Sequence, residues 1–160
     1  MPVIRALRPL PPQATIGDRC QMQTATTRLE RRFRQHRRRL TPQRALLCRL
    51  LEGNTEHPSA EVLHRRATAV MPTLSLRTVY AILHELVEMG AVQPLELGTG
   101  STRYDPNPRR HHHAVCTRCG RVYDLDVPIG PIEVPPDQRR GFWVRGVDLI
   151  VRGICRECRR

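Results

Sequence analysis

An α+β fold is predicted by three features of this 160-residue chain: a helix-rich first half, a change of period at Gly90, and two Cys-x-x-Cys pairs near the C-terminal end. From Leu46 to Met89 apolar residues recur at helical spacing, and beyond Gly90 they alternate. Three short helices followed by a hairpin are the layout of a winged helix-turn-helix. Cys116-x-x-Cys119 and Cys155-x-x-Cys158 supply four thiolates, the usual set for a tetrahedral zinc site, so a small zinc-stapled domain follows the winged helix.

The elements follow in order. Residues 1–27 hold Pro, Thr and Gln with little periodicity and read as a flexible arm. Arg28–Arg39 is a basic helix. Thr41 as N-cap and Pro42 at the first helical position start a helix running to about Glu52, with Leu46, Leu47, Leu50 and Leu51 on its apolar face and Gly53-Asn54 at its end. Ser59 caps a second helix carrying Val62, Leu63, Ala67 and Val70, stopped by Pro72. Ser75 caps a third, about Leu76–Met89, with Val79, Ile82, Leu83, Leu86 and Met89 inward and Gly90 at its end.

Ala91–Leu97 and Ser101–Tyr104 then flank Gly98-Thr99-Gly100 as a hairpin. Residues 28–107 thus form the winged-helix domain and 108–160 the zinc-bearing one. In the latter, His111–Cys116 and Arg121–Leu125 read as strands around the Cys116/Cys119 knuckle. Phe142–Val144 and Val147–Val151 read as further strands leading back to Cys155.

Charge narrows the partners. All 27 basic residues are arginine, against 15 acidic ones, for a net charge of +12. A compositional preference for arginine accounts for part of this excess. It does not account for the nine arginines between 28 and 49, which face one acid, Glu30. Such clustering points to a polyanion, and double-stranded DNA fits a winged helix. Arg77, Thr78 and Tyr80 lie in the first turns of the third helix, where side chains reach base edges. Arg44 and the 28–39 segment fall near phosphates. No apolar run reaches the roughly 18 residues that span a bilayer. Pro2 and Pro9 break any signal-peptide core, so no membrane association and a cytoplasmic location are expected.

A second cluster of metal-ligating residues adjoins the first knuckle. Alternate residues on a strand share a face, so His111 and His113 point together and His112 points away. A His-x-His pair is half of a transition-metal site. Asp105, Asp124 and His57 are candidates for the remainder, although each by its spacing alone is more readily a surface polar residue. Cys48 sits in an apolar run and reads as an inert core thiol, whereas Cys20 has no readable role.

Other classes fit less well. A thiol redox protein would use its Cys-x-x-Cys pair catalytically, but two such pairs in one chain favour zinc. A hydrolytic metalloenzyme lacks the HExxH helix, and no small-molecule substrate or catalytic residue is indicated. An RNA-binding zinc ribbon would suit the charge but wants stacking aromatics, and aromatics are only 4% of the chain.

Several segments together resemble the ferric uptake regulator family. They are Leu40-Thr41-Pro42-Gln43-Arg44, His57-Pro58-Ser59-Ala60, Ser75-Leu76-Arg77-Thr78-Val79-Tyr80, Arg103-Tyr104-Asp105, the run His111–Gly120, and Gly153-Ile154-Cys155-Arg156-Glu157-Cys158. They lie in order over residues 28–160, outside the arm. The resemblance implies a homodimeric, metal-dependent repressor of operator DNA, with a C-terminal dimerisation domain stapled by structural Zn²⁺ on the four cysteines. It implies a regulatory site for Fe²⁺ or Mn²⁺ on His57, Asp105, His111, His113 and Asp124. It also implies DNA contacts at Arg44, Ser75, Arg77, Thr78 and Tyr80.

Aspartate at 124 resembles the peroxide-sensing branch, in which the ferrous site oxidises its own histidines, here matching His57 and His111. An iron-, manganese- or zinc-uptake repressor without peroxide sensing is the alternative. Two departures from the family stand out. Pro131, Pro135 and Pro136 shorten or remove the helix that usually follows the second strand of the zinc domain. An additional metal site is only partly matched, by His112 and Asp148, with Arg110 where a histidine often stands.

Overall fold

In a computed structural model, residues 26–160 are described, apart from 99, 131, 132, 144 and 146. Cys20 and nearly all of the expected arm therefore lie outside the described residues. Helix α1 (Arg28–Gln35) begins at a capping box: the Thr27 hydroxyl accepts from the Glu30 amide, and the Glu30 carboxylate accepts from the Thr27 amide. Thr27 is thus the first fixed point of the helix. α1 ends at His36, and Arg37 takes a left-handed φ of 54°, so the helix stops short of Arg39. It is also more than a basic face. Leu29 and Phe33 are fully buried, and Arg28 and Arg32 donate to the carbonyls of Pro106 and Met89.

Helices α2 (Pro42–Leu51), α3 (Ala60–Thr68) and α4 (Leu76–Glu88) begin where their caps place them. Thr41, Ser59 and Ser75 each accept from the backbone amide three residues on. Leu47, Leu51, Leu63, Val79, Leu83 and Leu86 meet in one core with Leu29 and Phe33. Val70 does not join them. It lies past the end of α3 and is 71% exposed. Gly90, at φ 59°, ends α4 where a Cβ would be strained, and the Ala91 amide returns to the Leu86 carbonyl.

Strands β1 (Gln93–Leu95) and β2 (Arg103–Asp105) form the antiparallel wing. A second sheet has the order β4-β3-β5, with β3 (His112–Cys116) central, β4 (Val122–Leu125) antiparallel to it and β5 (Ile150–Gly153) parallel to it. Phe142 and Trp143 do not form the strand expected at 142–144. Arg140 and Gly141 both have left-handed φ, turning the chain, and Phe142 and Trp143 are then 73% and 88% exposed, with Val144 outside the described residues. The last strand begins at Ile150 rather than Val147, because only from His113 onward does β3 offer it a partner. The proline-rich segment retains one turn of helix, α5 (Pro136–Arg139).

The core of this second part is small. Among the described residues Leu97, Val115 and Val122 are its buried members, packed with Leu95 and Ile150. Two of these five, Leu95 and Leu97, come from the wing, so the wing serves both halves. Leu83→Ala should destabilise the helical core by about 2–5 kcal/mol in urea unfolding, since Leu83 is completely buried.

Candidate metal centres and DNA-facing helix

Four thiols converge where β3 ends and β5 runs out. The Sγ atoms of Cys116, Cys119, Cys155 and Cys158 lie within 4.8 Å of one another, and Cys119 Sγ is 3.8 Å from Cys155 Sγ. Tetrahedral zinc with Zn–S near 2.3 Å requires thiolates roughly 3.8 Å apart, so the set fits. The backbone builds this arrangement. Gly120, at φ 70°, folds the knuckle so that its amide meets the Cys116 carbonyl at 2.9 Å. The Thr117 amide reaches the Gly153 carbonyl at 2.8 Å and ties the two Cys pairs together. Backbone amides, first that of Cys155 at 3.4 Å, hold the Cys116 thiol well below its ordinary value and so favour a thiolate there.

The second centre draws on four separate segments. His57 comes from the loop before α3, Asp105 from the end of β2, His111 from just before β3, His113 from β3 itself, and Asp124 from β4. His57 Nε2 lies 2.7 Å from Asp124 Oδ1 and 3.7 Å from Asp105 Oδ1. His111 Nε2 is 3.1 Å from Asp105 Oδ2 and 3.4 Å from Asp124 Oδ1. His113 Nε2 stands 3.6 Å and 3.9 Å from the same two oxygens. Register explains the last pairing, because His113 and Asp124 are directly opposed between β3 and β4. His112, on the other face, instead accepts from the Leu149 amide at 3.4 Å.

Burial and orphaned polar atoms set this cluster apart from an ion-pair network and make it a candidate metal site. His57 is fully buried, and Asp105 is 1% and His113 6% exposed. Both ring nitrogens of His57, the Nε2 atoms of His111 and His113, and Asp105 Oδ2 are buried without a hydrogen bond, and the short His57–Asp124 approach lacks the alignment of one. A cation at the centre would satisfy this set together. Burial lowers the His57 pKa, outweighing the pull of Asp124 and Asp105, and so keeps its imidazole neutral, the ligating form. Burial would raise the Asp105 carboxyl, but His113, the Asn107 amide and the neighbouring imidazoles outweigh it and keep it ionised. Three imidazoles and two carboxylates suit a borderline divalent ion such as Fe²⁺ or Mn²⁺.

Three supporting contacts were not anticipated. The Asn107 amide donates to Asp105 Oδ1 at 2.8 Å, a local turn that the Asp-Pro-Asn spacing carries. The Arg109 carbonyl receives His111 Nδ1 at 2.7 Å, leaving Nε2 for the centre. Arg103 spans the carbonyls of His57 and Gly120 at 3.5 and 3.4 Å, joining the histidine loop to the knuckle. His57 itself has a left-handed φ of 48°, held by its burial and by the Tyr104 amide on the Pro58 carbonyl. The Asn107 and Arg109 contacts are local, whereas the Arg103 and Tyr104 ties are long-range and leave no local signature.

On the other side of the helical core, Arg77 and Tyr80 are exposed on the first turns of α4, and Ser75 and Thr78 form its cap. The Tyr80 hydroxyl donates to Glu61. Arg44 is engaged within the protein. Its guanidinium pairs with Glu85 at 2.6 Å and lies over the Phe33 ring, so it would reach phosphate only by releasing Glu85.

The described helices include none long and apolar enough to cross a membrane. A family model described as the ferric uptake regulator family matches residues 35–150. The peroxide-responsive repressor PerR of Staphylococcus aureus strain USA300 is 32% identical over 121 residues, covering 75% of this chain and 82% of its own. A solved zinc-bound manganese uptake regulator is similar with a TM-score of 0.62 and 26% identity, over 79% of this chain and 98% of that one. The Helicobacter pylori ferric uptake regulator Fur, described as having three functional metal binding sites, shares the fold at a TM-score of 0.63 and 20% identity, over 83% of this chain and 90% of its own.

Proposed function

The chain belongs to the ferric uptake regulator family, whose members are metal-dependent transcription regulators and not enzymes, and from that premise we propose that it is a homodimeric repressor of operator DNA that senses peroxide through the His/Asp centre. The observation that carries this reading is the buried cluster of unpaired ligand atoms drawn from both halves of the chain. Residues 28–107 act as the DNA-binding unit. Residues 108–160 act as the dimerising unit, whose exposed Phe142, Trp143, Val151 and Ile154 suit a partner copy.

Cys116, Cys119, Cys155 and Cys158 hold structural Zn²⁺. With so few buried residues in that half, the metal carries much of its folding free energy. Cys119→Ser should therefore give a zinc-free chain that is monomeric or aggregates, read by metal analysis and gel filtration. A stable zinc-free dimer would exclude the structural role.

His57, Asp105, His111, His113 and Asp124 hold the regulatory Fe²⁺ or Mn²⁺. Each half contributes ligands, so occupancy fixes the angle between them and the spacing of two α4 helices on DNA. His113→Ala should abolish metal-dependent operator binding and leave zinc content and dimer intact. Arg77 and Tyr80 read base edges while Ser75 and Thr78 set the start of α4. Arg77→Ala should weaken operator binding by about 1–3 kcal/mol and relax sequence preference, measured by footprinting and titration.

Peroxide sensing is supported by the likeness to the S. aureus repressor and by aspartate at 124. Bound Fe²⁺ would supply the reduction of hydrogen peroxide next to the imidazoles of His57 and His111. At low peroxide the Fe²⁺ form should lose operator binding, with added oxygen on His57 or His111 by mass spectrometry, while the Mn²⁺ form stays bound. Unmodified histidines and retained binding would favour the second reading, a plain iron-, manganese- or zinc-uptake repressor, which the likeness to the manganese uptake regulator supports.

A further inference from the structure

A cleft of about 590 Å³ lies between α3 and the cysteine knuckle, and neither Arg77 nor Tyr80 lines it. Arg65 and Arg66 of α3, Arg103 of β2 and Arg121 beside the knuckle line it, with Glu56 as the lining carboxylate. Its volume is in the range of small-ligand sites, roughly 300–1,000 Å³. Arg66 is paired with Glu56 at 2.5 Å and Arg121 with Glu157 at 3.2 Å, but all four side chains are 42% to 66% exposed. Exposed pairs of this kind contribute little and exchange readily for a better acceptor. Arg103 is different. Its Nε is buried without a hydrogen bond, and its terminal nitrogens make only long contacts of 3.5 and 3.4 Å to carbonyls.

We propose that this cleft binds a small multivalent oxyanion bearing phosphate or carboxylate groups. The planar fork of a guanidinium matches such groups two bonds at a time, and an ammonium-poor, arginine-only surface favours them further. Arg65, Arg66 and Arg103 belong to the helical half and Arg121 to the knuckle, so one anion would touch both. The site is separate from the His/Asp centre and does not depend on which metal that centre holds.

The test is calorimetric titration of the zinc-loaded, full-length chain with inorganic phosphate and, separately, with succinate, at a constant ionic strength of about 0.15 M. Saturable binding of one or the other at one site per subunit is expected, and the two arms distinguish phosphate from carboxylate recognition. Arg65→Gln and Arg121→Gln, both at exposed positions, should each weaken it about tenfold or more, whereas Arg34→Gln on α1 should leave it unchanged. Hydrogen exchange should slow at residues 55–66 and 119–123 on binding. Absence of saturable binding with both anions, or an equal loss in Arg34→Gln, would overturn the proposal, the latter by exposing mere attraction to a cationic surface.

Discussion

The approach of His57 to Asp124, at 2.7 Å, is the contact on which the arrangement of the two halves depends. It joins a loop leading into α3 to a strand of the second sheet. Each partner is of a kind that would otherwise be solvated, and His57 is fully buried. Burial without hydrogen bonds is unfavourable for both ring nitrogens, so the position is sustained only by what surrounds it. The left-handed backbone at His57 adds to this cost and is held by the Tyr104 amide and by Arg103. A closure whose polar atoms remain unsatisfied is a closure that a divalent ion can complete.

The knuckle is coupled to that closure through the backbone. β3 carries His113 near one end, directly after His111, and Cys116 at the other, so strand geometry relates the two candidate metal centres directly. Arg103 makes a second link, from the His57 carbonyl to that of Gly120. The small core of Leu97, Val115 and Val122 seen among the described residues would hold β3 only weakly without help, and the thiol cluster pins both of its neighbours. The thiol cluster thus helps position the His/Asp cluster.

Arginine performs different work at different depths. On α1 it extends outward from a buried Leu29/Phe33 stripe. At Arg28 and Arg32 it caps carbonyls at the ends of other elements, and at Arg44 it bridges helices through Glu85. The net charge of +12 therefore overstates the surface available to DNA. Arg77 of α4 and the arginines of the cleft beside α3 remain as distinct outward-facing groups.

Local rules were sufficient for the helical half. Thr41, Ser59, Ser75 and Gly90 mark ends that follow from capping and from the sterics of positive φ, and these act within four residues. The two Cys-x-x-Cys pairs and the alternation that puts His111 and His113 on one face were equally legible, because zinc spacing and strand period are local. Legibility failed where partners are distant. Phe142 to Val144 have the composition of a strand, yet a strand needs a facing edge, and Phe142 and Trp143, after the turn at Arg140-Gly141, are exposed and paired with no described strand. Arg44 reads as a phosphate contact until Glu85 is found beside it. The chain's residue types and their spacing by themselves determined the winged-helix layout, the thiol set and the candidate ligands. Only tertiary structure decided that His57, Asp105 and Asp124 share one centre with His111 and His113, because that depends on a closure between segments up to 67 residues apart, which no local pattern encodes.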